Sequence, residues 1–354
     1  MIRTVKIAFG AGVLAFATVH LAQSQTSVSK KQPVQLTGVN IAGAEFGGNH
    51  VPGKHGQDYF YPGPASIDYF AAKGMNIIRL PVLWERLQHR LRAKLDETEL
   101  QRVDAVVDYT TAKGMKIIID VHNYAKYFNT VIGMRRLPPR ALGDLWRQLA
   151  ARYKGNDLVV FGLMNEPTGL RTETWLAATN IAIAEIRRTG ARNLILVPGN
   201  GWSSARDWTS SKYGTPNSEV MLNVVDPIKN MVFEVHQYFD GDFTGTGAQC
   251  QSTDIGVVSL TAFTKWAREN RKRGFLGEFG VGANQMCLAA LDHVLRFMTE
   301  NSDVWLGWTY WAAGAWWAKD YYTNIEPLDG QDRPQMSILE KYMRNEGPVP
   351  AGPK

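Results

Sequence analysis

The chain has 354 residues, of which 45% are apolar and 20% charged, a balance typical of a globular protein with a sizeable core. Its formal charge is +6 at pH 7, and the basic residues are scattered apart from the pairs Arg135-Arg136 and Lys272-Arg273. A nucleic-acid-binding protein would concentrate them on one face, so we predict no nucleic-acid partner.

The first 24 residues have the pattern of a signal peptide. Arg3 and Lys6 precede an apolar stretch over residues 7–21, and residues 22–24, Ala-Gln-Ser, fit a cleavage site with two small residues one position apart. The apolar stretch is too short to span a membrane comfortably. We therefore predict export, either to the medium or to the periplasm, with no membrane attachment after cleavage.

The rest of the chain is predicted to contain one catalytic domain. Residues 25–35 form a short polar lead-in, residues 36–344 form the domain, and the Pro/Gly-rich residues 345–354 are expected to be disordered. A monomer is the default expectation for the oligomeric state.

Short apolar runs alternate with longer stretches of helical periodicity through this domain. The runs that we predict to be β-strands lie at 36–41, 77–80, 117–121, 159–163, 194–197, 232–235, 275–277 and 305–310. The predicted helices lie at 67–73, 99–113, 141–153, 173–188, 260–273 and 289–301, and several end in a basic residue followed by Gly, a common helix stop.

The strands are apolar throughout, which is typical of a parallel sheet covered on both faces. The sequence Ala-Lys-Gly-Met-x-Ile-Ile occurs at 72–78 and again at 112–118, and this supports a repeated β/α unit. Eight strands in about 310 residues therefore predict an α/β fold consisting of a single (β/α)8 TIM barrel. The glycine motifs of nucleotide-binding loops do not follow any of these strands.

Polar or aromatic side chains follow six of the eight predicted strands. In a TIM barrel, the C-terminal ends of the strands carry the active site. Glu166 and Glu278 each end an apolar run, where a carboxylate is costly unless it faces a polar cleft. Two carboxylates in one cleft are the minimum equipment for hydrolysing a glycosidic bond. The other strand ends supply Arg79, His122, Asn165, His236, Tyr238 and Trp311.

In their order and spacing, these residues closely resemble glycoside hydrolase family 5, and the resemblance extends from residue 38 to about residue 342. Segments 38–46, 121–124 and 311–314 resemble in particular the family's secreted endo-β-1,4-glucanases. The resemblance implies a cellulase that cuts internal β-1,4-glucosidic bonds of a glucan with retention, without a cofactor. It also implies that Glu166 is the acid/base and Glu278 the nucleophile.

A retaining mechanism needs the two carboxyl groups about 5 to 5.5 Å apart, with Glu278 ionised and Glu166 protonated when the substrate binds. Repulsion between the two groups separates their pKa values. Arg79 is expected to keep Glu278 ionised, although a purely structural salt bridge is the alternative. Asn165 is expected to donate to the sugar 2-hydroxyl, and Tyr238 to the second oxygen of Glu278.

His122 and His236 are expected to bind sugar hydroxyls or to support the catalytic groups. The patterns Asp120-x-His122 and Glu234-x-His236 also place an acid and an imidazole on one strand face, as metal ligands would be. Because neither H-x-H nor H-E-x-x-H is present, a metal site is the weaker interpretation.

Several aromatic residues are candidates for stacking on glucose rings. Trp311 follows the last predicted strand, and Trp202, Trp316 and Trp317 lie in predicted loops on the same face. Asn123, within the resembling segment 121–124, is expected to bind substrate. The tryptophans on or beside predicted helices are expected to pack in the core; these are Trp84, Trp146, Trp175 and Trp266.

Cys250 and Cys287 are the two cysteines of the sequence. In an exported protein, one disulfide is the favoured interpretation, and two buried free thiols are the alternative. Both cysteines lie in loops that flank the strand of Glu278, so a disulfide is expected to stiffen one wall of the cleft.

Three other functions fit part of this pattern. A β-mannanase or a β-1,3-glucanase would use the same catalytic set. A non-catalytic carbohydrate-binding barrel would need the aromatic residues but not the glutamates. The presence of both glutamates favours an enzyme.

Overall fold

Eight parallel strands close into a barrel in the computed structural model, which describes residues 33–343. Each strand pairs with its neighbours in chain order, and the first closes the ring on the last, with Leu36 opposite Gly307. The strands are β1 (Leu36–Ile41), β2 (Ile77–Val82), β3 (Lys116–Val121), β4 (Val159–Gly162), β5 (Ile195–Pro198), β6 (Met231–His236), β7 (Gly274–Glu278) and β8 (Trp305–Ala313). The predicted TIM barrel is confirmed.

Long helices on the outside of the barrel connect most of these strands. They are α1 (Pro64–Ala72), α2 (Glu97–Ala112), α3 (Arg140–Tyr153), α4 (Thr172–Arg188), α5 (Ile255–Glu269) and α6 (Gln285–Glu300). Single-turn helices occur at Trp84–Leu87, Asn217–Val220 and Met336–Leu339, and a two-stranded hairpin pairs Lys126–Tyr127 with Thr130–Val131.

The helix stops predicted from a basic residue followed by Gly are correct at two junctions and wrong at a third. Gly74 and Gly114 directly follow the last turns of α1 and α2, and both take the positive φ that glycine favours, 90° and 74°. The helix predicted at 260–273 instead ends at Glu269, because Arg271 takes φ 53° and Gly274 is already the first residue of β7.

Apolar side chains close the lower end of the barrel interior. Each strand contributes one buried residue to this cluster, which consists of Leu36, Ile77, Ile118, Val160, Leu196, Val232, Phe275 and Leu306. A larger apolar cluster packs between the strands and the helices and includes the four tryptophans predicted to be core residues. Polar chemistry inside the barrel is therefore left to the C-terminal ends of the strands.

The predicted disulfide is present. Cys250 and Cys287 are bonded, with their Cα atoms 5.3 Å apart. The disulfide joins the loop after β6 to the first turn of α6. It therefore ties the loop after β6 to the start of the helix that follows β7, the strand that carries Glu278.

Some predictions concern residues outside the described range. The signal peptide at 1–24, nearly all of the lead-in at 25–35 and the tail at 345–354 lie there. Within residues 33–343, none of the helices is long and apolar enough to cross a membrane.

Candidate active site

The structure brings Glu166 and Glu278 together at the C-terminal end of the barrel. Glu278 is the last residue of β7, and Glu166 lies in the loop directly after β4. One oxygen of each carboxyl group and one nitrogen of His236 all lie within 4.8 Å of one another. This proximity fits the separation of about 5 to 5.5 Å between carboxyl groups that a retaining glycosidase requires.

The backbone at Glu166 is strained. Its φ is 42°, a left-handed conformation that non-glycine residues rarely adopt. The preceding residue is held in place, because the backbone N–H of Asn165 donates to the carbonyl of Val121 on the neighbouring β3, at 2.7 Å. Strained residues of this kind are common at functional sites, where contacts with the surrounding structure hold them in place.

Glu278 is arranged as an anion. Arg79 Nη1 donates to its Oε1 at 2.8 Å, and the Tyr238 hydroxyl donates to its Oε2 at 2.9 Å. Burial acts to raise the pKa of Glu278, but the positive charges of His236 and Arg79 outweigh it and hold the pKa below its usual value. Both contacts of the Glu278 carboxylate agree with those expected from the sequence.

Arg79 is fully buried among acceptors. Its Nε lies 3.0 Å from Glu234 Oε1, and its Nη2 lies 3.1 Å from Asp120 Oδ1. The same guanidinium donates to the side-chain oxygens of Asn40 and Asn165, at 2.9 and 2.8 Å. A planar, permanently charged group with five donors is suited to such a site. Arg79 therefore orients the Glu278 carboxylate and balances the charge of two others.

The surroundings of Glu166 shift its pKa in the opposite direction to that of Glu278. Burial and repulsion from Glu278 raise its pKa, although the contact between its Oε1 and His236 Nδ1, at 2.8 Å, acts in the other direction. The neighbouring carboxyl groups therefore have pKa values shifted in opposite directions, as an acid and a nucleophile require.

His236 lies among the carboxyl groups of Glu166, Glu234 and Glu278. Its Nδ1 is 3.6 Å from Glu278 Oε2, and its Nε2 is 3.4 Å from Glu234 Oε1. Burial acts to lower the pKa of His236, but these carboxylates, Glu278 first, raise it to about 10. Glu166, His236 and Glu278 are close enough to hold a metal ion. A histidine ligand must be neutral, so a metal ion would have to displace the proton that the surrounding carboxylates stabilise on this imidazole.

His122 and Asn165 form a second polar pair beside Glu166 and Glu278. His122 Nδ1 lies 2.8 Å from Asp120 Oδ2, and its Nε2 lies 3.2 Å from Asn165 Nδ2. An amide nitrogen can only donate, so Nε2 accepts and Nδ1 carries the proton towards Asp120. The ring also stacks on Trp311, with centroids 5.6 Å apart.

The predicted stacking residues lie on two opposite sides of the site. Trp311, Trp316 and Trp317 lie on β8 and in the loop after it, while Trp202 follows β5, and β8 and β5 are three strands apart in the barrel. Trp316 is 43% exposed and Trp202 45%, as open stacking surfaces require. Trp202, Tyr238 and Glu166 line one cavity of about 510 Å³.

Asn123 differs from the sequence expectation. Its Oδ1 accepts from the backbone N–H of Trp84 at 2.7 Å, and its Nδ2 donates to Glu85 at 2.7 Å. Because both ends of the amide bind protein groups, the structure favours a positioning role for Asn123 over the direct sugar contact that we expected.

Asn40 was not found by sequence reasoning. Besides accepting from Arg79, its Nδ2 lies within hydrogen-bonding distance of the carbonyls of Gly277, Thr309 and Tyr310, at 2.9 to 3.2 Å. It thus links β1 to β7 and β8 near Glu278. The available signal was an amide in the mostly apolar strand of residues 36–41.

Both a protein-family model and individual known proteins match most of this chain. The family model described as Cellulase (glycosyl hydrolase family 5) matches residues 28–314. Endo-beta-1,4-glucanase B of Aspergillus niger is 38% identical over 308 residues, which cover 86% of this chain and 89% of that protein.

Comparison with solved structures also finds similar proteins. XacCel5A in complex with cellopentaose superposes with a TM-score of 0.86 at 47% identity, covering 87% of this chain and 99% of that one. The Pseudomonas stutzeri endoglucanase Cel5A in complex with cellobiose gives a TM-score of 0.80 at 34% identity, covering 92% and 100% of the two chains.

Proposed function

The chain belongs to glycosyl hydrolase family 5, and we propose that it is an endo-β-1,4-glucanase that cleaves internal glucan bonds with retention through Glu278 and Glu166. The observation that supports these roles of Glu278 and Glu166 is that the two carboxyl groups are neighbours and that their pKa values are shifted in opposite directions. The ionised group is suited to attack, and the protonated one is suited to assist departure.

In the first step, the Glu278 carboxylate attacks the anomeric carbon, and the bond from that carbon to the glycosidic oxygen breaks. Glu166 transfers its proton to the departing oxygen, so the leaving chain gains a free hydroxyl. The product is a glycosyl ester on Glu278, and Glu166 is now a carboxylate.

In the second step, Glu166 accepts a proton from a water molecule, whose oxygen attacks the anomeric carbon and releases Glu278. Two inversions give net retention. His236 supports both steps, because an imidazolium 2.8 Å from Glu166 Oε1 stabilises that carboxylate after it has lost its proton.

The substrate in this proposal is a β-1,4-glucan chain that lies across the barrel mouth. The tryptophans on the β8 side and Trp202 on the β5 side supply flat apolar surfaces on either side of the catalytic pair. Two structural neighbours are described in complex with cellopentaose and with cellobiose, which supports an oligosaccharide of glucose. We further propose that the enzyme is exported and acts as a monomer, on the basis of the signal-peptide pattern at residues 1–24 for export.

The proposal is tested by assaying the purified protein on carboxymethylcellulose, mannan and β-1,3-glucan, with the anomer of the first product followed by NMR. We expect hydrolysis of carboxymethylcellulose with the β-anomer formed first. Preferred hydrolysis of mannan or β-1,3-glucan would favour one of the other family activities.

Two isosteric variants test the roles of the glutamates. Glu278→Gln and Glu166→Gln should each abolish most of the activity on carboxymethylcellulose, while Glu269→Gln, an exposed position at the far end of α5, should not. Binding of glucan without hydrolysis by the unaltered protein would indicate a non-catalytic barrel.

A further inference from the structure

The hairpin between β3 and α3 has an unusual tip. Tyr127 pairs with Thr130, so Phe128 and Asn129 alone form the turn, and both have positive φ, 42° and 60°. Two-residue turns with this backbone normally take Asn-Gly or Asp-Gly, because a bulky side chain is strained at positive φ. Phe128 is nevertheless 44% exposed, so burial in the core does not offset the strain.

A buried carboxylate holds this tip in place. Glu85, which is 5% exposed, accepts from the backbone N–H of Phe128 at 2.6 Å and from Asn123 Nδ2 at 2.7 Å. Asn123 is fixed in turn by the backbone N–H of Trp84. The backbone of Phe128 is therefore fixed by groups that the proposed catalytic steps do not use.

Phe128 lines a cavity of about 610 Å³ beside the catalytic groups. The other walls include Asn49 and His50 from the loop after β1, Lys126 and Asn129 from the hairpin, and Tyr124. Tyr124 also lines the cavity that contains Glu166, so the two cavities are adjacent. This size is typical of a small-molecule site.

The cavity lies off the line of the expected main chain. That line runs from the β8 tryptophans to Trp202 after β5, whereas the cavity is bounded by the ends of β1, β2 and β3, between these two positions on the ring. A sugar unit that enters this cavity must therefore be attached to the glucan main chain as a side branch.

We propose that this cavity binds a glycosyl branch of the β-1,4-glucan, with Phe128 as the stacking surface. An exposed aromatic ring beside amide, imidazole and ammonium donors suits the apolar face and the hydroxyls of a pyranose. The ammonium of Lys126 and the carboxylate of Glu85 balance in charge among the lining residues, which suits a neutral sugar. This inference rests on the proposed glucanase function and adds a substrate class to it.

The test compares kcat/KM on cellohexaose with kcat/KM on a β-1,4-glucan oligosaccharide of equal backbone length that carries neutral xylosyl branches. For Phe128→Ala, we expect the value on the branched substrate to fall about tenfold relative to the linear one, which corresponds to about 1.4 kcal/mol. Phe128→Trp should retain the preference. Met134→Ala is the matched control, because Met134 is exposed in the same connection but does not line the cavity.

Phe128→Gly separates binding from folding. Glycine relieves the left-handed strain, so a merely structural Phe128 predicts unchanged or improved activity, whereas a stacking Phe128 predicts the same selective loss as in Phe128→Ala. Equal changes on both substrates, no change on either, or a wild-type enzyme that cleaves the linear substrate but not the branched one would overturn the inference. A wild-type enzyme that cleaves neither would overturn the proposed function itself.

Discussion

Arg79 and Glu278 form a direct, buried ion pair, with Nη1 2.8 Å from Oε1 and the two side chains 0% and 5% exposed. The two residues are 199 positions apart in the chain, and only closure of the barrel brings them together. The pair links the stability of the fold to the ionisation of Glu278, the proposed nucleophile, because the same guanidinium also faces Asp120 and Glu234.

Arg79→Met should destabilise the protein and change its pH profile. It removes the fully buried positive charge that contacts three buried carboxylates, so the free energy of unfolding should fall by about 3 to 5 kcal/mol. The pKa of Glu278 should rise, which moves the acidic limb of the kcat/KM profile to higher pH. Urea denaturation and pH-dependent kinetics measure the two effects.

Arg171→Met is the matched control for Arg79→Met, since Arg171 is 80% exposed and pairs with Glu173 at 3.3 Å. It should change stability by less than about 1 kcal/mol. If Arg79→Met were as mild as this control, Arg79 would not hold the carboxylate cluster together.

Tyr238→Phe should lower kcat with little effect on folding. It removes one donor to an ionised carboxylate, a hydrogen bond worth about 1.5 to 3 kcal/mol, so kcat should fall about tenfold to a hundredfold. The remaining donor from Arg79 keeps Glu278 oriented, so the melting temperature should stay close to that of the wild type. An unchanged kcat would show that Tyr238 does not assist the nucleophile.

The barrel was predictable because its strands are apolar on both faces and alternate with helices at regular spacing. The residues at the strand ends were also predictable, since the fold fixes where its active site lies. Tyr238 and Glu278 illustrate this: each follows a predicted strand, and the structure joins them by a direct hydrogen bond. Arg79 lies within β2, and its side chain donates to Glu278 on β7.

Interactions that depend on long-range proximity were not predictable. Asn40 lies within β1 and contacts groups 39 and 237 positions away, and an amide within a strand does not indicate which distant groups it will contact. Asp120 and Glu234 entered the sequence analysis only as possible metal ligands, whereas the structure pairs both with Arg79. The hairpin at Phe128 was missed because its turn lacks the glycine that usually marks such a turn.

His236 should make stability decrease with pH in the alkaline range. The folded protein raises its pKa from the ordinary 6.5 to about 10 and so binds the proton more tightly than the unfolded chain does. Its contribution is therefore complete below about pH 6.5 and is lost as the pH rises towards 10. In His236→Gln, the slope of unfolding free energy against pH should be smaller over this interval. Parallel slopes for the variant and the wild type would contradict the assignment of a charged imidazole.

Removal of the disulfide should reduce stability and, if the disulfide stiffens the cleft wall, activity as well. Cys250 and Cys287 are 37 positions apart, and closing a loop of that length is worth about 4 kcal/mol on the chain-entropy model. The double variant Cys250→Ser/Cys287→Ser should therefore melt at a lower temperature. A melting temperature and kcat equal to those of the wild type would remove any role for the disulfide.

Azide rescue tests the central claim most directly, because it reports which face of the sugar each glutamate occupies. Glu278→Ala and Glu166→Ala are assayed with azide on an aryl β-cellobioside that has a good leaving group. We predict the α-glycosyl azide from Glu278→Ala, where azide replaces the nucleophile, and the β-glycosyl azide from Glu166→Ala, where azide replaces the activated water. The same anomer from both variants, or full activity without either carboxylate, would contradict the account.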